Sequence, residues 1–211
     1  AIHESQSLFW ERMIAQGKLF CARYLPLVAE TFPNNFKGVN PEQFYEAVNV
    51  SGPSLIRVEA DEVTYPMHII LRYELEKGLF DGSIQVEHLP EMWNAKMKEY
   101  LGVEPPTDTL GVLQDTHWSG GAFGYFPSYT LGAIYASQFY QALIRAEPGI
   151  EKQIEMGNLA PVREWLGIQI HQQGRLLSVP ALVKRVTGEN LNPDHFLDYL
   201  KNKYRQIYRL N

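Results

Sequence analysis

The sequence predicts an all-α fold, and three observations carry that expectation. Apolar residues recur at three- and four-residue spacing, as in Leu131, Ile134, Tyr135, Phe139, Ala142 and Leu143. Helix starts and stops are written in the usual chemistry: Asn40-Pro41-Glu42-Gln43 offers a cap, a proline at the first helical position and a glutamine at the third. Strand-like patterning is hard to place anywhere except residues 83–86.

Taken in order, Leu8, Phe9, Arg12, Met13 and Ala15 predict a helix over residues 5–16 that stops at Gly17, which puts Glu4 in its first turn. A carboxylate there complements the helix dipole whatever else it does. A second helix runs from Pro41 to about Val48. After Ser51-Gly52-Pro53, residues 54–77 read as a longer helical stretch, interrupted or kinked at Pro66 and closed by Gly78. In that reading Arg57, Ala60, Asp61 and Thr64 share one face. The polar strip is either an Arg57–Asp61 ion pair, worth only ~0.2 to 0.5 kcal/mol, or a guanidinium held ready for a carboxylate.

Residues 80–83 read as a turn, 89–101 as a helix, and Glu104-Pro105-Pro106-Thr107-Asp108 as a rigid connector. The connector leads into residues 111–132, GVLQDTHWSGGAFGYFPSYTLG, which is expected to be a close-packed loop presenting His117 and Tyr125 between two helices. Beyond it come a long helix ended by Pro148-Gly149, a helix around Val162, Trp165 and Leu166 that stops near Gly174, and a short one over 181–186 that stops at Gly188. A final helix opens at Asn192-Pro193.

The whole-chain numbers narrow the function. With 45% apolar residues, 211 residues can bury a substantial core as one large domain. Nineteen basic residues against 24 acidic ones give a formal net charge of -5, so there is no electrostatic case for nucleic acid or an anionic membrane as partner. The single cysteine, Cys21, excludes an intrachain disulfide and any multi-cysteine metal site, and suits a cytoplasmic location. No apolar run approaches the ~18 residues that span a bilayer.

The chain holds neither H-E-x-x-H, nor a phosphate-cradling glycine loop, nor a G-x-S-x-G elbow. Instead it offers separate pieces: the carboxylate of Glu4 beside His3, the cation of Arg57, and the donors His117 and Tyr125. Such a set suits peptide hydrolysis at a zinc ion.

At these residues the sequence resembles a known family. His3-Glu4-Ser5-Gln6, Ile56-Arg57-Val58-Glu59-Ala60-Asp61 and Gly111-Val112-Leu113-Gln114-Asp115-Thr116-His117-Trp118 are similar to three ordered segments of the thermostable carboxypeptidase Taq family of zinc metallocarboxypeptidases, and Gly124-Tyr125-Phe126-Pro127-Ser128-Tyr129 resembles their continuation. The resemblance implies a helical fold of the kind shared with angiotensin-converting enzyme and neurolysin. It also implies a zinc ion held by the two histidines of H-E-x-x-H and by the glutamate matching Glu4. The family's H-E-x-x-H lies upstream of the position matching Ala1, so the expectation is that residues 1–211 form the C-terminal catalytic portion of a metallocarboxypeptidase, inactive alone.

Residue roles follow as what the resemblance implies. Glu4 is a metal ligand, and Gln6 lies beside it near substrate. His117 and Tyr125, with Tyr129 in reserve, donate to the oxyanion. Arg57 holds the substrate's C-terminal carboxylate with Asp61 orienting it, and Asp115 either fixes the His117 ring or caps the preceding turn. A peptide is the implied substrate. Exposure of apolar surface normally covered by the missing part would make the chain a homodimer. A related oligopeptidase and a non-catalytic helical protein that binds peptides or partners are the competing readings.

Overall fold

The computed structural model describes residues 1–210, and among these it contains helices and no strand. The α-helices are α1 (Ile2–Leu8), α2 (Lys18–Thr31), α3 (Pro41–Val48), α4 (Tyr65–Asp81), α5 (Leu89–Leu101), α6 (Pro127–Ala146), α7 (Ile150–Glu155), α8 (Ala160–Gln169), α9 (Val179–Thr187) and α10 (Asp194–Tyr208). The chain divides into two compact units, one of Ala1 with Val50–Leu131, the other of Ile2–Asn49 with the chain from Gly132 onward.

In the first unit α4 packs on α5 around buried Leu71, Leu75, Trp93, Met97 and Leu101, with Met67, Ile84 and Trp118 against them. No helix covers 54–64: a single 3-10 turn spans Arg57–Glu59, and α4 starts only at Tyr65. The cause is local. Asp61 turns its carboxylate back onto the backbone N–H groups of Val63 (2.8 Å) and Thr64 (3.1 Å) and the Thr64 hydroxyl (2.7 Å), a competitor to continuing a helix through this point. Pro66 falls in the first turn of α4, where its missing N–H is harmless, so it opens the helix rather than kinking it. Gly78 lies inside α4, which ends at Asp81 with Gly82 in the left-handed conformation. Residues 83–86 form no strand, and a 3-10 turn follows at Val86–His88.

In the second unit the N-terminal helix is shorter than the pattern suggests. After Leu8 the chain winds more widely as a π-helix over Phe9–Ala15, and the Gln16 N–H reaches the Glu11 carbonyl five residues back (2.8 Å). Helix α2 packs on α3 and α7 and carries Pro26 within it, so the sequence gives it no clean helical signal. The capping box at the start of α3 forms as the sequence predicts: Gln43 N–H donates to Asn40 Oδ1 (2.9 Å), and Asn40 N–H donates to Gln43 Oε1 (3.0 Å). Cys21 is buried with Tyr45, Tyr204 and Ile207, and burial raises its thiol pKa.

Candidate functional site

Helix α4 supplies the floor of the site in the first unit. His68, Arg72 and Glu76 follow each other at four-residue intervals, so they line one face of the helix, and all three are buried. A stripe of three ionisable side chains buried on one face is costly unless each finds a partner. Two of them find it in the segment from Gln114 to Gly124.

Arg72 Nε donates to Asp115 Oδ2 (2.7 Å), its Nη2 to Gln114 Oε1 (2.8 Å), and its Nη1 to the His68 carbonyl (2.7 Å). Arg57 approaches the same carboxylate from the 3-10 turn, with Nε and Nη2 on Asp115 Oδ1 at 3.1 and 2.6 Å and Nη1 on the Tyr65 hydroxyl at 2.7 Å. Gln114 closes the group by accepting from the Arg57 N–H (2.9 Å) and donating to the Leu55 carbonyl (3.1 Å). One carboxylate therefore serves two guanidiniums, and the cluster keeps one net positive charge.

Burial works to raise the Asp115 carboxyl, but the hydrogen bonds and charges of the two arginines outweigh it and hold the pKa below the ordinary carboxylate value. Burial lowers Arg72 to about 10 against the pull of Asp115, with Arg57 pushing the same way as burial. The partner the sequence suggests for Arg57 is not the one it has. Asp61 is held by Ser51 Oγ (2.8 Å), by the Gly52 N–H (3.2 Å) and by the Val63 and Thr64 N–H groups of the turn that precedes α4, so orienting Arg57 falls to Asp115.

The next turn of this segment positions His117. Its ring lies against Phe126, with centroids 4.4 Å apart, and beside Tyr125 and Tyr129 at 5.8 and 5.9 Å. Nε2 and the Tyr129 hydroxyl are 2.9 Å apart. Nδ1 faces Asp115 Oδ1 at 3.6 Å, too far for a hydrogen bond and near enough for charge to be felt. Burial lowers the His117 pKa, Asp115 opposes that, and Arg57 and Arg72 reinforce it, so the balance favours the neutral ring. A neutral imidazole hydrogen-bonded to a phenol can pass or donate one proton, the capability required at a developing oxyanion.

The loop from Trp118 to Gly124 is pinned by Glu76, which accepts from the Trp118 indole N–H (2.7 Å) and from the Gly124 N–H. Gly121 and Gly124 both have positive φ, as such a tight loop requires. Tyr125 leaves the loop 47% exposed, whereas Tyr129 belongs to the first turn of α6.

In the second unit, Glu4 sits half-buried on α1, and its carboxylate has no hydrogen-bond or ion-pair partner among the described residues. Gln6 pairs through Oε1 with His171 Nε2 at 2.8 Å and donates to Ser5 Oγ at 3.0 Å. A half-buried carboxylate without a partner fits the role of a metal ligand. Among the described residues, however, no three His, Cys, Asp or Glu side chains converge, so any metal held here takes its other donors from outside them.

The structure thus brings together Arg57, Asp115, His117, Tyr125 and Tyr129 in one unit, leaves Asp61 to its own turn, and places Glu4 and Gln6 in the other unit. Sequence reasoning missed Arg72, Gln114, Glu76 and His171. The first and third were readable as part of the four-residue stripe on α4. Gln114 belongs to the segment 111–118 but nothing there marks it as an anchor for two arginines, and nothing local marks His171 as a partner of Gln6.

A profile of the carboxypeptidase Taq (M32) metallopeptidase family matches residues 1–204. The chain belongs to this family. It is 47% identical over 209 residues to carboxypeptidase 1 of Bacillus subtilis, covering 99% of this chain and 42% of that protein. Thermostable carboxypeptidase 1 of Thermus thermophilus is 46% identical over 208 residues, covering 98% and 40%. The crystal structure of the M32 carboxypeptidase from Deinococcus radiodurans superposes with a TM-score of 0.95 at 38% identity, covering 98% of this chain and 42% of that one. The chain therefore spans about two-fifths of the length of these M32 relatives. Family membership implies a metal cofactor. No helix among the described residues is long and apolar enough to cross a membrane.

Proposed function

We propose that these residues work as part of a zinc carboxypeptidase that releases C-terminal amino acids from peptides. The observation that carries the reading is the His117–Tyr129 pair standing at 2.9 Å beside a buried, net-positive Arg57–Asp115–Arg72 cluster. Zinc, when bound, polarises the scissile carbonyl and activates water, and Glu4 is one carboxylate of its ligand set. The further donors come from outside the described residues, in keeping with the upstream H-E-x-x-H that the family resemblance implies.

The protein's own groups do the rest. The surplus positive charge around Arg57 favours a substrate's free C-terminal carboxylate. Arg57 is only 5% exposed, so a direct grip requires its side chain to loosen from Tyr65. His117, with Tyr125 or Tyr129, donates to the oxyanion as the carbonyl carbon becomes tetrahedral. Gln6, two residues from Glu4 and paired with His171 through Oε1, is a substrate-facing group in this reading.

The test is an assay of the complete enzyme on N-blocked peptides of several lengths. Stepwise loss of C-terminal residues, abolished by amidating the C-terminus, supports the reading. Cleavage that ignores the amide makes it an oligopeptidase, and binding without turnover makes it a peptide-binding protein. We also propose a homodimer, supported by exposed apolar side chains such as Leu27, Phe32 and Leu176, and a cytoplasmic location, in keeping with the single cysteine. A monodisperse monomer in light scattering would overturn the dimer.

A further inference from the structure

Gly132 is buried in α6, one turn beyond the end of the aromatic segment, and the surface it presents is bare backbone. A Cβ placed on it would lie 2.8 Å from both Cβ and Cγ of Glu4 and 3.2 Å from the Glu4 carbonyl carbon. Nothing else meets this position more closely. Its φ does not call for glycine, because α6 is an ordinary α-helix here, and a glycine inside a helix costs ~1 kcal/mol relative to alanine. The conformational reasons for glycine are therefore missing, and the steric one is specific to a single residue.

We propose that Gly132 is a positioning residue for Glu4: by presenting no side chain, it lets the Glu4 side chain lie directly against the α6 backbone, which fixes where the carboxylate stands. The proposal rests on the reading of Glu4 as a metal ligand. Its strength comes from a comparison of lengths. To restore ordinary van der Waals contact at 3.4 Å, Glu4 would have to move by about 0.6 Å from an added methyl. Metal–ligand distances tolerate only about 0.2 Å. The methyl is small for the protein and large for the metal site. The carboxylate also has no protein hydrogen bond to hold its direction, so packing against Gly132 is the constraint available to it.

The experiment uses the complete enzyme and reads metal affinity by chelator competition, alongside the melting temperature. Gly132→Ala is expected to bind metal about 10- to 100-fold more weakly, the usual cost of disturbing a ligand's support. Ala136→Gly, one turn further along the same helix and equally buried, is expected to lower the melting temperature while keeping the wild-type metal affinity. Wild-type affinity in Gly132→Ala overturns the proposal, as does an equal loss in Ala136→Gly. Glu4→Gln separates the two levels: if it retains tight metal, the ligand reading fails and takes the inference with it. If it loses metal while Gly132→Ala does not, only the inference fails. Should Gly132→Ala not fold, the double variant Glu4→Gly/Gly132→Ala decides. Recovery of folding shows that the clash is with the Glu4 side chain, and continued failure overturns the proposal.

Discussion

At the scale of single residues, the two tyrosines near His117 stand in different situations. Tyr129 is within hydrogen-bond distance of Nε2, while Tyr125 touches the imidazole only through its ring and is half in solvent. A phenol already aligned by a partner loses little freedom on donating to an oxyanion, whereas an exposed one has to be ordered first. In the complete enzyme, Tyr129→Phe should therefore lower kcat by roughly 100-fold with KM nearly unchanged, the loss typical of one oxyanion donor. Steady-state kinetics of Tyr129→Phe and Tyr125→Phe measured together would reverse this order if Tyr125 is the principal donor. The sequence made both rings visible as members of one motif. It could not show that the motif crosses from loop into helix between them, because the boundary depends on how residues 124–127 pack.

At the scale of elements, α4 holds the segment 114–124 at two points: Arg72 takes Asp115 and Gln114, and Glu76 takes Trp118 and Gly124. The motif around Asp115 was legible because its residues are contiguous. Its anchors lie 42 to 48 residues earlier in the chain, where the sequence shows only an ionisable stripe. The error at residues 54–64 has the same origin. Helical spacing of Arg57 and Asp61 suggested a pair, but each side chain found a better partner, Asp115 for one and the backbone for the other. These partners differ in energetic weight. Asp115→Ala leaves two buried guanidiniums without their carboxylate and should cost about 3 to 5 kcal/mol. Asp61→Ala loses the partly exposed hydrogen bonds of the turn before α4 and should cost about 1 to 2 kcal/mol. Urea unfolding of the two variants measures the difference, and comparable losses would mean that the Arg57–Asp115–Arg72 cluster contributes no more than a partly exposed turn.

At the scale of the whole molecule, the groups that the site buries shape how stability varies with pH. His68 is fully buried on α4, and neither ring nitrogen has a hydrogen-bond partner. Burial lowers its pKa from 6.5 to about 4, with the charges of Arg72 and Arg57 adding to the shift and those of Asp115 and Asp61 opposing it. Because the folded value lies below the unfolded one, the unfolded chain takes up the proton first as pH falls. The stabilisation from keeping His68 neutral is complete above pH 6.5 and is lost progressively down to about pH 4. The full difference corresponds to ~3 kcal/mol, of which about 2 kcal/mol is lost between pH 7 and pH 5. His117 is shifted in the same direction and adds to the slope. Asp61 and Asp115, whose pKa values are also lowered, contribute their losses at lower pH, since their unfolded reference is 3.8. Unfolding free energy measured from pH 7 to pH 5 should thus fall in the wild-type protein and fall distinctly less in His68→Leu, which has nothing to protonate at that position. Parallel slopes would show that His68 is solvated or hydrogen-bonded in solution and titrates normally. A shallower slope in the variant identifies the buried imidazole of His68, on the same face of α4 as the Arg72 and Glu76 that hold the site's loop, as a source of the molecule's sensitivity to mild acid.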